Sequence, residues 1–414
     1  MNNHDIIIIG ASFSGLALAH RLPGDLRVLV VDRKKRLNAI CESTGLVTTK
    51  TMELLKSFVP DLRKYLTNDI KTMAVVSTDF QTNFFSSAKE PWIYSTDTPE
   101  LLARMGELLP KNVELVCDAE FMSAERNAES VVVSVKRDSE IVDYSCKILV
   151  GADGGRSRVA EKCGLGRNEK FLLGYEKVYP GNILFGENPE STVYHYWFGE
   201  FSLGYGGWLS PSTVNGQPVF RIGLAKLGVN KNEIKKLDEF IEKLVSLGHI
   251  KLTGNCLYEY AGYIPIGGAL KNTYRDRVLL IGDAAGLCGA FAADGIKGAL
   301  VSGIVAAKLI DKYISEADER VFVNFGKELN KFDSLLTYFK KQQLYRFVWS
   351  AMKKNSTFRA MFEVIVADKQ SFISQFSDAK NTGGGLFKII FKPRLFPKLI
   401  RYGVLWLRDW FFIN

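Results

Sequence analysis

Three carboxylates in this 414-residue chain each follow an apolar run and sit among residues too small to block a ligand. Asp283 lies in RVLLIGDAAGLCGAFAADGIKGALVSGIVAAK, residues 277–308. Residues 278–281 read as a buried strand, Gly282, Ala284, Ala285 and Gly286 carry little or no bulk, and a small-residue helix is expected from about Asp294. A ligand backbone can lie almost on such a peptide, Asp283 can accept hydroxyl protons, and Gly295 with the amides after it aims the positive end of a helix at the same place. Taken alone, the stretch is equally a tight strand-to-helix turn.

Residues 6–15, IIIIGASFSG, repeat the pattern. Gly10, Ser12 and Gly15 have the spacing of a dinucleotide fingerprint: Gly10 for a tight turn, a small residue at 12 for approach to a pyrophosphate, Gly15 for packing of helix on strand. Ser12 replaces the usual middle glycine with a hydroxyl that fits and can bond phosphate. Residues 17–22 continue as a helix, RVLVV at 27–31 reads as a second strand, and Asp32 closes it 22 residues after Gly10 (32 minus 10), where a carboxylate reaches adenosine ribose hydroxyls. A capping Asp in an ordinary βαβ unit is the alternative. Residues 148–159, ILVGADGGRSRV, give a third turn of this kind. There Asp153 lies among Gly151, Gly154 and Gly155, and Arg156 and Arg158 can pair with phosphate or hold the acids of the turn.

Such turns need a parallel sheet with helices packed on it. The fold class expected is therefore α/β, a Rossmann-type nucleotide-binding domain interleaved with a mixed-sheet substrate domain, plus C-terminal helices. Residues 1–70, 98–165 and 266–320 are assigned to the first domain, 71–97 with 166–265 to the second, 321–385 to a helical cap and 386–414 to an amphipathic basic tail. β-Branched and aromatic residues alternate with polar ones over 72–94 and again over 113–150, which predicts strands on two different sheets. Residues 98–109 predict a helix with Thr98 as cap and Pro99 in its first turn.

Six cysteines (41, 117, 146, 163, 256 and 288) are scattered, with no CxxC and no signal peptide, which predicts reduced thiols in a cytoplasmic chain. The segment RLNAICESTGLVTTK, residues 36–50, is small and polar around Cys41, although most single cysteines are buried hydrophobes. The four histidines (4, 20, 195 and 249) have no metal-ligand spacing, and no serine nucleophile elbow is present, so neither metal chemistry nor serine hydrolysis is expected.

Residues 170–265 read as the substrate sheet. Tyr194, Tyr196, Trp197, Phe198, Tyr205 and Trp208 would wall a site for an apolar, elongated or aromatic molecule, with alternate residues packing the core instead. Residues 237–247 have helical spacing. Residues 322–368 are helix-like and rich in basic and aromatic side chains, and Gly383, Gly384 and Gly385 form a candidate hinge. Residues 386–414 hold six basic residues and one acidic, a net of +5 out of +9 for the chain. At about 100° per residue, Phe396, Leu399, Ile400, Gly403, Leu407, Trp410 and Phe411 share one face and Arg394, Lys398, Arg401 and Arg408 another. Pro397 fits a first turn, with Arg394 and Phe396 just outside the helix. The segment is too interrupted by charge to span a bilayer. It is expected either to lie on an anionic membrane surface or to dock on the protein's own body. With 54 basic against 45 acidic residues and the excess in a Trp- and Phe-rich tail, nucleic acid is excluded as the partner.

The three turns, in this order and separation over residues 5–310, resemble the FAD-contacting motifs of the para-hydroxybenzoate hydroxylase-like flavoproteins. The resemblance implies FAD as cofactor, held by Gly10, Ser12, Ser14, Gly15, Asp32, Arg33, Ala119, Asp153, Gly282, Asp283, Gly295 and Ile296. Asp32 would bind the adenosine ribose, Asp283 the ribityl chain, Gly295 and Ile296 would lie by the flavin ring, and Asp153 would brace the middle loop. Within that superfamily the chain is most similar to the geranylgeranyl reductases. They carry a cysteine in the segment matched by CESTGLVTTKTMELL, a GDAAG followed by the equivalents of Gly295, Ile296, Ser302, Gly303, Ala306 and Ala307, and a YxWxFP motif. Here that motif is Tyr205-Gly-Gly-Trp208-Leu-Ser-Pro211, with one extra residue and Ser for Phe. The family's proline in the GDAAG loop is Ala290, a nearby glycine is Ala293, and no arginine stands beside Thr96.

The resemblance implies an FAD-dependent reductase that saturates isoprenoid double bonds of a lipid, peripheral at a membrane. Cys41 is the catalytic candidate, and Tyr205, Trp208 and Pro211 the substrate-binding ones. The electron donor, NAD(P)H or a ferredoxin-like protein, is left open, because no separate nicotinamide fingerprint is visible. The alternatives are an FAD-dependent monooxygenase or halogenase acting on an apolar or aromatic small molecule, a non-redox flavoprotein such as a carotenoid cyclase, and a flavin-bearing scaffold.

Overall fold

The runs Ile6–Ile9, Val28–Val31, Val113–Val116, Ile148–Gly151 and Val278–Leu280 are nearly all apolar, as strands with both faces covered must be. They pair in parallel in the order Val278–Leu280, Ile148–Gly151, Ile6–Ile9, Val28–Val31, Val113–Val116, with Tyr274–Arg275 antiparallel on one edge. This computed structural model describes residues 2–39, 43–127, 129–197, 199–202, 204–214, 216–228, 235–332, 334–373 and 391–412. Helix Phe13–Ala19 and the long helix Gly295–Glu316 pack against each other beside the sheet. They approach so closely because Gly303 has no side chain: a Cβ there would lie 2.6 Å from the Ser14 carbonyl oxygen.

Residues 72–96 and 113–151 supply strands to four sheets, where the alternation pattern predicted two. The reason is that short hairpins switch sheet without changing their alternation. Val113–Val116 and Ile148–Gly151 belong to the parallel sheet, whereas Ala119–Arg126, Val131–Arg137 and Glu140–Cys146 form a meander closed by Asn2–Asn3. Thr72–Val76 and Asn83–Ser87 belong to a large mixed sheet, and Ile93–Thr96 lies between Leu46–Thr48 and Leu66–Ile70 in a three-stranded one. The helix after it is Thr98–Glu107, and its cap is Asp97, not Thr98: the Asp97 side chain accepts the Glu100 N–H.

The large sheet runs Ile250–Leu252, Phe171–Ile183, Gln217–Leu227, Gly204–Val214, Thr192–Tyr196, Thr72–Val76, Asn83–Ser87, and Tyr258–Pro265 also pairs with Phe171–Ile183. One face packs under helix Lys235–Ser246, with Tyr194, Tyr196, Phe220 and Phe240 in that core. The opposite face looks toward the parallel sheet and toward the C-terminal helices Leu335–Ser350 and Asn355–Ala367.

The last helix, Phe396–Phe412, begins one residue before Pro397, so Phe396 is inside it and Arg394 sits in the preceding 3-10 turn, Pro393–Leu395. It docks on helix Asn355–Ala367 through a line of which the sequence pattern singled out only Leu399. Leu395, Leu399, Tyr402 and Trp406 pack inward, the Trp406 indole donates to the Val348 carbonyl, and the fully buried Asp409 carboxylate accepts the Lys353 and Lys354 backbone N–H groups at 2.8 and 3.0 Å. Arg401 pairs with Glu363, and Arg408 with Asp409, Ser356 and Thr357, so half of the predicted basic face is turned to docking. Phe396, Ile400, Val404, Leu407 and Phe411 remain outward, each about half or more exposed. Among the described residues no helix is long and apolar enough to cross a membrane. The candidate hinge at 383–385 lies outside the described residues.

Candidate active site

Because the central strands are parallel, the turns that follow Ile6–Ile9, Ile148–Gly151 and Val278–Leu280 emerge side by side at one end of the sheet. They touch. Gly10 has φ +109°, and a Cβ on it would lie 2.3 Å from the Ala152 carbonyl oxygen. Gly282 has φ +57°, and a Cβ on it would lie 2.7 Å from Ser14 Oγ. Ser302 pins the third turn from the long helix: its hydroxyl accepts the Gly282 N–H at 2.9 Å and donates to the Ala299 carbonyl. Asn168 Nδ2 donates to the Gly155 and Asp283 carbonyls and so ties the middle turn to the third. The loop on to Asp294 is held from the cap, where Gln342 Oε1 accepts the Phe291 and Ala292 N–H groups and Tyr338 donates to Asp294.

The three carboxylates have different duties. Asp32 accepts the Ala11 N–H at 2.6 Å and the Lys34 N–H at 2.8 Å, holding the first turn against the end of the second strand. Asp153 accepts from Ser157 Oγ and from the Arg158 and Val159 N–H groups, capping the short helix Arg158–Lys162; burial raises its carboxyl above the usual range. Asp283 accepts no hydrogen bond on its side chain among the described residues, and burial pushes its carboxyl up to about 6. Gly295 lies against it, with a Cβ position 3.2 Å from Asp283 Oδ1 and 3.4 Å from Cys288 Sγ. Burial, then Asp283 and Asp294, raise the Cys288 thiol well above its ordinary value, so it is protonated.

A cavity of about 370 Å³ lies between these turns and the large sheet. One wall is Ser12, Ser14, Asp283, Gly295 and Ile296; the other includes Met73, Val193, Trp197, Tyr205, Trp208 and Ile264, and residues 43–48 close one side. The sheet side is almost wholly apolar or aromatic. Tyr205 donates to the Ala292 carbonyl at 3.2 Å, linking the sheet to the third turn, and His195 is held neutral, its pKa pushed by burial to about 3. A buried acid and a buried base, Glu176 and Arg221, also lie at this wall. Glu176 accepts the Trp208 indole N–H at 2.7 Å, the Tyr260 hydroxyl, and Arg221 Nη1 at 3.4 Å; Arg221 Nη1 also donates to the Ser43 carbonyl at 3.2 Å.

The family model described as FAD binding domain matches residues 3–332. The chain belongs to the FAD binding domain family. It is an FAD-dependent oxidoreductase, and it resembles proteins of the kind to which the motifs pointed. It is 25% identical over 365 residues to digeranylgeranylglycerophospholipid reductase 2 of Methanosphaera stadtmanae, covering 81% of this chain and 87% of that one. Its fold superposes on the crystal structure of a geranylgeranyl bacteriochlorophyll reductase-like protein of Thermoplasma acidophilum with a TM-score of 0.78 at 16% identity, covering 97% and 100% of the two chains. It also superposes on p-nitrophenol 4-monooxygenase of Pseudomonas putida with a TM-score of 0.66 at 17% identity, covering 89% and 96%.

The residues present fit FAD. Side-chain-free approaches exist at Gly10, Gly282 and Gly295, Ser12 stands at a helix N-cap without capping it, and the Asp283 carboxylate has acceptor capacity left. Ser12, Ser14, Asp283, Gly295 and Ile296 line the cavity, while Gly10, Gly15 and Gly282 shape the turns behind it. Asp32, the exposed Arg33 and Ala119 gather at the ends of the next two strands, where the Ala119 N–H donates to the Asp32 carbonyl at 3.0 Å. Tyr205 and Trp208 reach the cavity; Pro211 does not, and its carbonyl accepts from Ser95 Oγ. Cys41 and Phe198 lie outside the described residues. Tyr194 and Tyr196 face the opposite core, as the alternation required. Sequence reasoning missed Glu176, Arg221, Tyr260 and Cys288. In YEKV both neighbouring charges could be the inward one, but the glycine in FRIGL was a readable sign that something crosses the strand there.

Proposed function

We propose that the protein reduces isoprenoid double bonds of a lipid, with Asp283, Ser12 and the amides of Gly295 and Ile296 holding FAD and the large sheet holding the substrate chain. The observation that carries the reading is the cavity itself: an apolar, aromatic wall stands directly across from the turn that would hold the isoalloxazine, as an alkene chain requires. When bound and reduced, FAD supplies a hydride to one alkene carbon. The protein's part is to hold the chain dry and in line, and to keep a protonated group near the other carbon, since an isolated alkene is a poor hydride acceptor. Cys41 is our candidate for that group or for substrate placement. Loss of turnover with retained flavin in Cys41→Ser would support it, and full turnover would remove it. NAD(P)H or a ferredoxin-like protein supplies the electrons.

The substrate is drawn from a membrane. The terminal helix presents Phe396, Ile400, Val404, Leu407 and Phe411 as one outward stripe, beside exposed Phe347 and Leu344 of the neighbouring helix and the exposed cations Arg394 and Lys398. Such a surface suits peripheral attachment at the cytoplasmic face.

The test is mass spectrometry of isoprenoid lipids after incubation with the FAD-loaded protein, once with dithionite in the absence of air and once with NADPH in air. Pairs of added hydrogens in the anaerobic sample support the reductase. Oxygen incorporated only in the aerobic one would mean a monooxygenase on the same cofactor site.

A further inference from the structure

One row of residues crosses five strands of the large sheet. Tyr260 stands directly opposite Glu176, Glu176 opposite Gly223, Gly223 opposite Trp208, and Trp208 opposite His195. Directly opposite residues share a face, so all of these point toward the cavity. Gly223 contributes no side chain, and the indole of Trp208 fills the gap: a Cβ at Gly223 would lie 2.0 Å from Trp208 Cζ2. Lying across its neighbour, the indole reaches Glu176 Oε2 with its N–H at 2.7 Å. Glu176 is 2% exposed. Arg221 and the Tyr260 hydroxyl donate to its other oxygen, and Arg221 also donates to the Ser43 carbonyl in the segment that closes one side of the cavity. A buried ion pair is weak glue, because desolvation offsets its attraction. What it does provide is direction, and here the direction is transmitted to an aromatic ring in the cavity wall.

We propose that Glu176 is a positioning residue that acts through Trp208: it fixes the plane of the indole, and the indole fixes which segment of the lipid chain faces Gly295 and Ile296. The proposal rests on the reading of the protein as a reductase of isoprenoid double bonds and adds the element that selects among those bonds. A chain with several equivalent double bonds can slide along an apolar wall with little change in energy. A ring locked across the wall breaks that equivalence, since each methyl branch either clears its edge or meets it.

Two substitutions reach the indole by different routes. Glu176→Gln keeps size but turns an amide N–H toward the donors of Trp208, Tyr260 or Arg221. Gly223→Ala drives a methyl into the ring without altering the Glu176 side chain itself. Each is compared with wild type on a lipid carrying several isoprenoid double bonds, with the positions of the added hydrogens read by fragmentation mass spectrometry. Acrylamide quenching, with Trp208→Phe as the blank, reads the indole itself. We expect both variants to bind FAD at wild-type stoichiometry and to be reduced by dithionite at the wild-type rate. We expect Trp208 to become more quenchable, the reduced positions to spread over the chain, and KM to rise roughly 10-fold while kcat changes little. The double variant is expected to be no worse than the more affected single variant, since both act through one ring. If either variant frees the indole yet reduces the same bonds as wild type, or if the two effects add, Glu176 does not act through Trp208. If wild type adds hydrogen to no isoprenoid lipid, the reductase reading has failed instead, and the quenching result still reports whether Glu176 holds the ring.

Discussion

Replacing Ile400, Val404 and Phe411 together by Gln tests the outward stripe without touching the docked side of the terminal helix. Glutamine keeps helix propensity, and none of the three side chains belongs to the inward line of Tyr402, Trp406 and Asp409. They are 68%, 63% and 68% exposed, so about two-thirds of each remains available for burial in a lipid surface. At about 1.5–3 kcal/mol for full burial of such a side chain, the available part is worth about 1–2 kcal/mol each. Allowing for insertion of only about half of that, the triple variant loses about 1.5–3 kcal/mol of membrane affinity, or roughly 10- to 150-fold. Flotation with vesicles reads this directly, with FAD content and thermal unfolding as controls for folding. Because Arg401 and Arg408 are engaged with Glu363, Asp409, Ser356 and Thr357, and Lys392 with Asp368, Arg394 and Lys398 are the exposed basic residues left to anionic headgroups among the described residues of the tail. At about 1 kcal/mol each, anionic vesicles should bind no more than roughly 30-fold better than zwitterionic ones. Unchanged flotation of the triple variant would refute the argument, and so would binding that depends on charge alone.

Gly10→Ala should abolish FAD retention, since the new methyl meets the Ala152 carbonyl at 2.3 Å from a φ of +109°; visible flavin absorbance after purification measures it, and Ser12→Gly should retain the cofactor. Ala293 has φ +56°, so Ala293→Gly should relieve about 1 kcal/mol of backbone strain and raise the unfolding temperature of the flavin-free protein by roughly 1–2 °C. For Asp283 the folded-state pKa is raised to about 6, so the ionised form is the disfavoured one. The flavin-free protein should therefore gain stability as pH falls from above 6 toward 4 and lose it as pH rises through 6, a slope that Asp283→Asn removes. Ribityl hydroxyls donating to this carboxylate favour its ionised form, so FAD binding near pH 6 should release protons. Calorimetry in buffers of different ionisation heat checks the sign, and proton uptake would contradict the assignment.

The cofactor half of the protein was legible because backbone demands fix residue type there. Positions 10, 15 and 282 meet a carbonyl or a helix at distances only glycine allows, and Ser302 and Gly303 are set by the contact of two helices, so a one-dimensional pattern records a three-dimensional fit. The left-handed φ at Ala293 falls where the motif resemblance led us to expect a glycine. The substrate half was less legible, since alternation says which residues share a face but not which face meets the cavity. Tyr194 and Tyr205 look alike in sequence, yet one packs under a helix and the other lines the site. The tail misled for a similar reason. Helical periodicity marked its apolar residues correctly, but docking is governed by Asp409, whose buried carboxylate caps a helix some fifty residues earlier, and no periodicity reports that.

The contact between Gly10 and Ala152 also sets an order of events at the ribosome. The first strand is made at once, but one neighbour arrives with residues 148–151 and the turn bearing Asp283 only after residue 278. Until the long helix to Glu316 has cleared the exit tunnel, the nascent chain has an unpaired parallel edge along Ile148–Gly151 and no complete nest for its cofactor. Flavin supply therefore cannot rescue early stages of synthesis. Chains stalled or truncated between about residues 160 and 270 should be clients of chaperones however much FAD the cell contains.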